Sequence, residues 1–135
     1  MNKRVFVDTS FIIAILNPKD QYNNIAQKLV QDLFQDHEVW ISEAVLFELG
    51  NAFAKTNREI VNRFISNLRR SSYVHVVWGN EVLFQKALAL YSQDQDKNWS
   101  LTDCLSFIIM NENDLIIAYS SDHHFEQAGF QYILQ

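Results

Sequence analysis

Lys3-Arg4-Val5-Phe6-Val7-Asp8-Thr9-Ser10 is the stretch whose reading decides the fold. Val5, Phe6 and Val7 form a short unbroken apolar run between a basic pair and an acid. A run of that kind reads as a strand buried on both faces, the pattern of a parallel sheet. A short helix is expected over residues 9–16, stopped by Asn17-Pro18. The sequence thus opens as strand, carboxylate, helix.

The same alternation continues outward from this unit. Residues 23–35 place Ile25, Ala26, Leu29 and Leu33 at helical spacing, and Val39-Trp40-Ile41 reads as a second strand. Ser42 is a helix N-cap, with Val45, Leu49, Ala52 and Phe53 on one face of a helix reaching Lys55. Asn57 begins another helix, carrying Ile60, Val61, Phe64, Ile65 and Leu68. Residues 74–78 give a third strand, residues 81–93 a helix, residues 94–98 a polar loop and residues 100–111 a further helix. A strand over 115–119, a short helix over 122–128 and a strand over 130–134 complete the chain. Short apolar strands separated by helices predict a three-layer α/β fold, with a mainly parallel sheet of about five strands and helices on both faces. No linker or repeat divides it, so residues 1–135 are expected to form one domain.

Composition excludes several classes. With 48% hydrophobic residues and 18 aromatics (10 Phe, 5 Tyr, 3 Trp), the chain can bury a core and does not read as disordered. A single cysteine, Cys104, allows no internal disulfide. Three glycines (Gly50, Gly79, Gly129), far apart, cannot build a phosphate-cradling loop. No window approaches the ~18 apolar residues of a membrane span, and Asp8 interrupts the apolar start. A cytoplasmic protein with no membrane partner is expected.

In open parallel sheets, ligands bind beyond the carboxyl ends of the strands, at the point where strand order reverses. Asp8 ends the first strand. Glu48 lies on the helix leaving the second, at the border of its apolar face. Asp103 lies in the first turn of the helix starting at Ser100, and Asp122 follows the fourth strand. Each also has a local role open to it. Asp8 can cap the next helix, Asp103 can close a Ser100–Asp103 capping box, and Asp122 can cap the short helix before Gly129. Glu48 can pair with a lysine or arginine. If the four meet, their hard oxygens suit Mg²⁺ or Mn²⁺, which bind substrate phosphates and activate water for phosphodiester cleavage.

Taken in order, these residues resemble the motifs of PIN-domain ribonucleases, most of all the small VapC-type toxin nucleases of toxin–antitoxin pairs. Val5-Phe6-Val7-Asp8-Thr9-Ser10 resembles the strand-borne aspartate with its Thr and Ser. The stretch from Ser42 to Glu48 resembles the second motif, Ser100-Leu101-Thr102-Asp103 the third, and Ser120-Ser121-Asp122-His123-His124-Phe125 the fourth. The resemblance implies that Asp8, Glu48, Asp103 and Asp122 are catalytic and hold one or two Mg²⁺ or Mn²⁺ ions, with Thr9 or Ser10 assisting. It implies an RNA substrate, an antitoxin protein as partner, and a homodimer. Cys104 stands where alanine is common, and the pair His123-His124 is unusual beside the fourth acid. Adjacent histidines on a helix point apart, so shared ligation by the two is not expected.

Charge bears on the RNA reading. Sixteen acids against 11 bases leave a net −5. Residues 55–70 hold Lys55, Arg58, Arg63, Arg69 and Arg70 against Glu59 alone, a local +4 that leaves −9 on the remainder. Such a basic stretch can track a phosphate backbone, serve as a protein-binding surface, or be a solvated face. Two rival readings stand beside the ribonuclease. A non-catalytic RNA- or protein-binding PIN module would use the basic helix without cleavage. An aspartyl phosphatase would use Asp8 as nucleophile, but its second aspartate two residues on is replaced here by Ser10.

Overall fold

The computed structural model describes residues 3–93 and 96–134, so part of the expected 94–98 loop (Asp94 and Gln95) lies outside it. The order of elements is β1 (Lys3–Val7), α1 (Thr9–Leu16), α2 (Asn23–Asp36), β2 (His37–Ser42), α3 (Glu43–Ala52) and α4 (Arg58–Arg70). It continues with β3 (Val74–Val77), α5 (Glu81–Gln93), α6 (Leu101–Glu112), β4 (Ile117–Tyr119), α7 (His124–Gln127) and β5 (Gln131–Ile133).

The five strands run in the order β3-β2-β1-β4-β5, and every pairing is parallel. β1 is central, with Phe6 opposite Trp40 on one side and Ala118 on the other. This position explains its composition, for Val5, Phe6 and Val7 are all but inaccessible to solvent. From β1 the chain winds outward to β2 and β3, then crosses back to β4 and β5. Right-handed crossovers therefore place helices α1–α4 on one face and α5–α7 on the other. The contacts agree, with α1 against α2 and α3, and α5 against α6. The order reverses between β1 and β4, so the switch point is the crevice at their carboxyl ends.

Local chemistry sets the element boundaries. Ser42 caps α3 by accepting from the Val45 N–H at 3.1 Å, and Asn57 caps α4 through the Ile60 N–H at 3.1 Å. Helix α3 stops at Ala52, short of the Lys55 expected from sequence, and Ala52 is exposed while Val45, Leu49 and Phe53 are buried. Strand β4 starts at Ile117 and not at Leu115, because α6 ends in a Schellman turn. Asp114 takes a left-handed φ of 54°, and the Leu115 N–H returns to the Met110 carbonyl at 2.8 Å. Helix α7 ends in the same way, with Gly129 at φ 96° and the Phe130 N–H on the Phe125 carbonyl at 2.9 Å.

An aromatic cluster ties the ends of α6 and α7 together under the sheet. Phe107 packs edge-on against Phe125, with centroids 5.2 Å apart, and Phe125 lies 6.4 Å from Phe6. Trp99, half-buried ahead of α6, meets Phe107 at 5.0 Å and donates from its indole to Gln127 Oε1 at 3.1 Å. These contacts fix the start of α6 beside α7, which brings Asp103 next to the residues following β4.

Candidate active site

Asp8 leaves β1 at the switch point. Its backbone N–H bonds the Tyr119 carbonyl at 3.0 Å, which sets it beside the end of β4. It occupies the N-cap position of α1, yet its side chain makes no capping hydrogen bond. Instead Oδ2 accepts from two hydroxyls, Ser120 Oγ at 2.8 Å and Ser10 Oγ at 3.1 Å. The serines also touch each other at 3.0 Å, Ser10 Oγ accepts from the Ser121 N–H, and Ser120 Oγ accepts from the Asp122 N–H. Asp8 is 8% exposed. Burial outweighs the serine hydrogen bonds and lifts its pKa to about 6, with the negative charge of Asp103 adding to the rise.

Glu48 is half-buried on α3, and its Oε1 accepts from the Thr9 hydroxyl at 2.7 Å. Thr9 thereby links the second acid to the first across the α1–α3 contact. Glu43, on the same helix, has a different use: its Oε1 takes the Gly79 N–H at 2.8 Å and joins α3 to the end of β3.

Asp103 forms the capping box with Ser100, accepting from the Ser100 N–H at 3.1 Å while Ser100 Oγ accepts from the Asp103 N–H at 3.0 Å. The same Oδ2 also meets His124 Nδ1 at 3.0 Å. Burial, then the nearby charge of Asp122, push the Asp103 carboxyl above its ordinary range, against the lowering effect of the cap and of His124. Asp122 is half-buried, and its Oδ1 accepts from the His124 N–H at 2.9 Å and lies 3.1 Å from His124 Nδ1.

The structure therefore links the four expected acids in two chains. Thr9 joins Glu48 to the segment holding Asp8, while His124 bridges Asp103 and Asp122. The electrostatic coupling of Asp8 with Asp103, and of Asp103 with Asp122, spans them. Thr9 and Ser10, the residues the resemblance offered as assisting, hydrogen-bond Glu48 and Asp8 respectively. Two participants were not anticipated. Ser120 is wholly buried against Asp8, and its signal in the sequence was only its place at the end of a strand. His124 bridges two acids, and its signal was its spacing of two residues from Asp122.

The expected divergence of His123 and His124 is overturned. His123 is the N-cap of α7, and its ring lies beside that of His124 with centroids 4.6 Å apart and planes tilted by 49°.

The donor set fits a hard divalent ion. Among the described residues no lysine or arginine pairs with Asp8, Glu48, Asp103 or Asp122. A buried carboxylate met only by neutral donors, with further acids close by, lacks the cation that would stabilise its charged form. Carboxylate oxygens at one crevice with no lysine or arginine among them suit Mg²⁺ or Mn²⁺.

The basic segment is exposed along α4 and just before it. Lys55, Arg58, Arg63, Arg69 and Arg70 all face solvent. Arg63 pairs with Glu59 at 2.7 Å, Arg58 Nε donates to the Ala54 carbonyl, and Arg69 lies over the Trp78 ring at 5.7 Å. Phe47 and Trp78 remain exposed, whereas Trp40 and Trp99 are half-buried.

A doubly wound parallel sheet with an acidic crevice at its switch point defines the class, and the chain belongs to the PIN-domain family, whose model matches residues 5–131. Among curated proteins it is similar to the 23S rRNA-specific endonuclease VapC20 of Mycobacterium tuberculosis (strain H37Rv), with 29% identity over 93% of this chain and 95% of that protein. The crystal structure of VapC20, described there as a sarcin–ricin loop cleaving toxin, superposes with a TM-score of 0.82 at 26% identity, covering 93% of this chain and 95% of that one. VapBC2 from Rickettsia felis, bound to a promoter DNA fragment, shares the fold with a TM-score of 0.70 at 12% identity over 96% of each chain.

Proposed function

We propose that the protein is a divalent-metal-dependent endoribonuclease acting as the toxin of a toxin–antitoxin pair, its residues 1–135 working as one domain. The observation that supports this reading is the placement of Asp8, Glu48, Asp103 and Asp122 about the switch point, with no lysine or arginine paired to any of them among the described residues. Similarity to VapC20 along nearly the whole chain supports RNA as the substrate.

Asp8, Glu48, Asp103 and Asp122 would hold one or two Mg²⁺ or Mn²⁺ ions, which when bound supply charge stabilisation at a phosphodiester and lower the pKa of water. The chain's own residues prepare that site. Ser10 and Ser120 hold Asp8 Oδ2 by two hydroxyl donors, so its other oxygen is directed away from the serine pair. Thr9 fixes one oxygen of Glu48, and Ser100 fixes one of Asp103. Carboxylates oriented before the ion arrives lose less freedom on binding it. Lys55, Arg58, Arg63, Arg69 and Arg70 would carry the RNA backbone, with an affinity that falls as salt rises.

The partners follow the same reading. An apolar groove lined by Phe34, Phe64 and Leu68 between α2 and α4 is suited to an antitoxin segment. Exposed Phe47, Trp78 and Val82 are suited to a second copy in a homodimer. No helix among the described residues is long and apolar enough to cross a membrane, and we place the protein in the cytoplasm with its RNA target.

The test is incubation of purified protein with a single-stranded RNA and with an rRNA hairpin. Internal cleavage that requires Mg²⁺ or Mn²⁺ and stops with a chelator is expected. Binding of RNA without cleavage in any divalent ion would favour the non-catalytic module instead.

A further inference from the structure

The outer rim of the acidic crevice differs chemically from its centre. At the centre every donor is oxygen: the carboxylate of Asp8, the hydroxyls of Ser10 and Ser120, and beyond them Glu48 with Thr9. At the rim, Asp122, His123 and His124 each present one donor atom, and the three atoms lie within 4.8 Å of one another.

We propose that Asp122, His123 and His124 form a second cation position, with two nitrogen donors and one oxygen, that takes a borderline transition ion such as Mn²⁺ or Zn²⁺. It shares Asp122 with the carboxylate site and rests on the reading of that crevice as a metal site only to that extent.

The geometry carries the assignment. Nitrogen and oxygen ligands sit about 2.0–2.2 Å from such an ion, so neighbouring ligands at right angles are roughly 3 Å apart. His124 Nδ1 and Asp122 Oδ1 are 3.1 Å apart. His123 Nδ1 is 3.9 Å from the same oxygen, and its side chain is 66% exposed, so the ring can turn inward without displacing packed atoms. His124 is held in place: its side chain is 18% exposed and Asp103 stands 3.0 Å from its Nδ1. One anchored imidazole and one adjustable imidazole thus flank a single carboxylate oxygen.

Donor type sets the ion. Imidazole suits Zn²⁺ and other transition ions, whereas Mg²⁺ keeps to oxygen and to its own waters. His124 Nδ1 faces the carboxylates of Asp103 and Asp122. Asp103, facing His124 from α6, is the nearest further carboxylate and can supply an additional oxygen or orient a water.

Pulsed electron paramagnetic resonance of Mn²⁺ added to the whole purified chain reads nitrogen ligation directly. Wild-type protein is expected to show ¹⁴N modulation from coordinated imidazole. His123→Ala and His124→Ala should each reduce it, and the double variant should abolish it and weaken calorimetric Zn²⁺ binding at least tenfold. Circular dichroism of each variant confirms that the fold is kept. Bound Mn²⁺ without ¹⁴N modulation, or modulation that survives in the double variant, would overturn the rim site and leave the carboxylate reading standing. Absence of any Mn²⁺, Mg²⁺ or Zn²⁺ binding would remove both. Nitrogen-coupled Mn²⁺ in a protein that cleaves no RNA would keep the rim site and remove the ribonuclease reading alone.

Discussion

Replacing Asp8 by asparagine in the metal-free protein separates the electrostatic argument from catalysis. The carboxyl group moves from its ordinary 3.8 to about 6 because it is buried among neutral hydroxyls and near Asp103. At about 1.4 kcal/mol per decade of proton affinity, holding it ionised costs the folded state up to about 3 kcal/mol. The folded pKa is raised, so the stabilising contribution is complete below pH 3.8 and is lost as pH rises through 6. Asparagine has the same size, keeps an oxygen acceptor for Ser10 and Ser120, and cannot ionise. Asp8→Asn should therefore match the parent near pH 4 and exceed it by about 2–3 kcal/mol at pH 7.5, a rise of several degrees in Tm. Urea unfolding of both proteins in chelator, from pH 4 to 8, measures this difference directly. Adding Mg²⁺ at pH 7.5 should then stabilise the parent and leave the variant unchanged. A stability gap that stays constant across the pH range would refute the reasoning, because it would show that Asp8 does not titrate in that window.

Other outcomes follow from single contacts. Ser120→Ala removes a donor that holds the Asp8 carboxylate, so the pKa of Asp8 should rise further and the pH midpoint for Mg²⁺ binding should move upward with it, read by calorimetry across pH. Thr9→Val breaks the 2.7 Å bond to Glu48. It should lower the RNA cleavage rate about tenfold while leaving thermal unfolding within about 1 kcal/mol of the parent. Gly129→Ala puts a side chain at φ 96°, where nothing lies within 4 Å of the new carbon. Its cost should be conformational alone, about 1 kcal/mol by denaturant unfolding, and Asp114→Gly at φ 54° should gain a similar amount.

How much of this was legible in the sequence varies with the range of the contact. The strands were readable because each is short and sits in a sheet covered on both faces, so Val5-Phe6-Val7 needs no polar alternation. The caps at Ser42, Asn57 and Ser100 were readable because a cap acts on residues two or three positions away. Leu115 was misassigned for the complementary reason. The left-handed turn at Asp114 carries no glycine to announce it, and an apolar residue after a helix looks like the start of a strand. The convergence of the acids was legible only as a rule about switch points. That β1 lies beside β4, placing Ser120 on Asp8, depends on the strand order and has no local signature. His124 escaped for a related reason: its bridge to Asp103 needs α6 and α7 brought together by Phe107, Phe125 and Trp99. The pairing of His123 with His124 was misjudged because adjacent positions were taken to diverge, whereas at the N-cap of α7 the two rings come within 4.6 Å.

The central claim is that the carboxylates at the end of β1 and the start of α6 carry out RNA cleavage. The most direct measurement is the Mg²⁺-dependent rate of internal RNA cleavage by wild-type protein, Asp8→Asn and Asp103→Asn, with folding of each checked by circular dichroism. Loss of cleavage in both folded variants is the expected result. A folded Asp8→Asn or Asp103→Asn protein that cuts RNA at the wild-type rate would contradict the account.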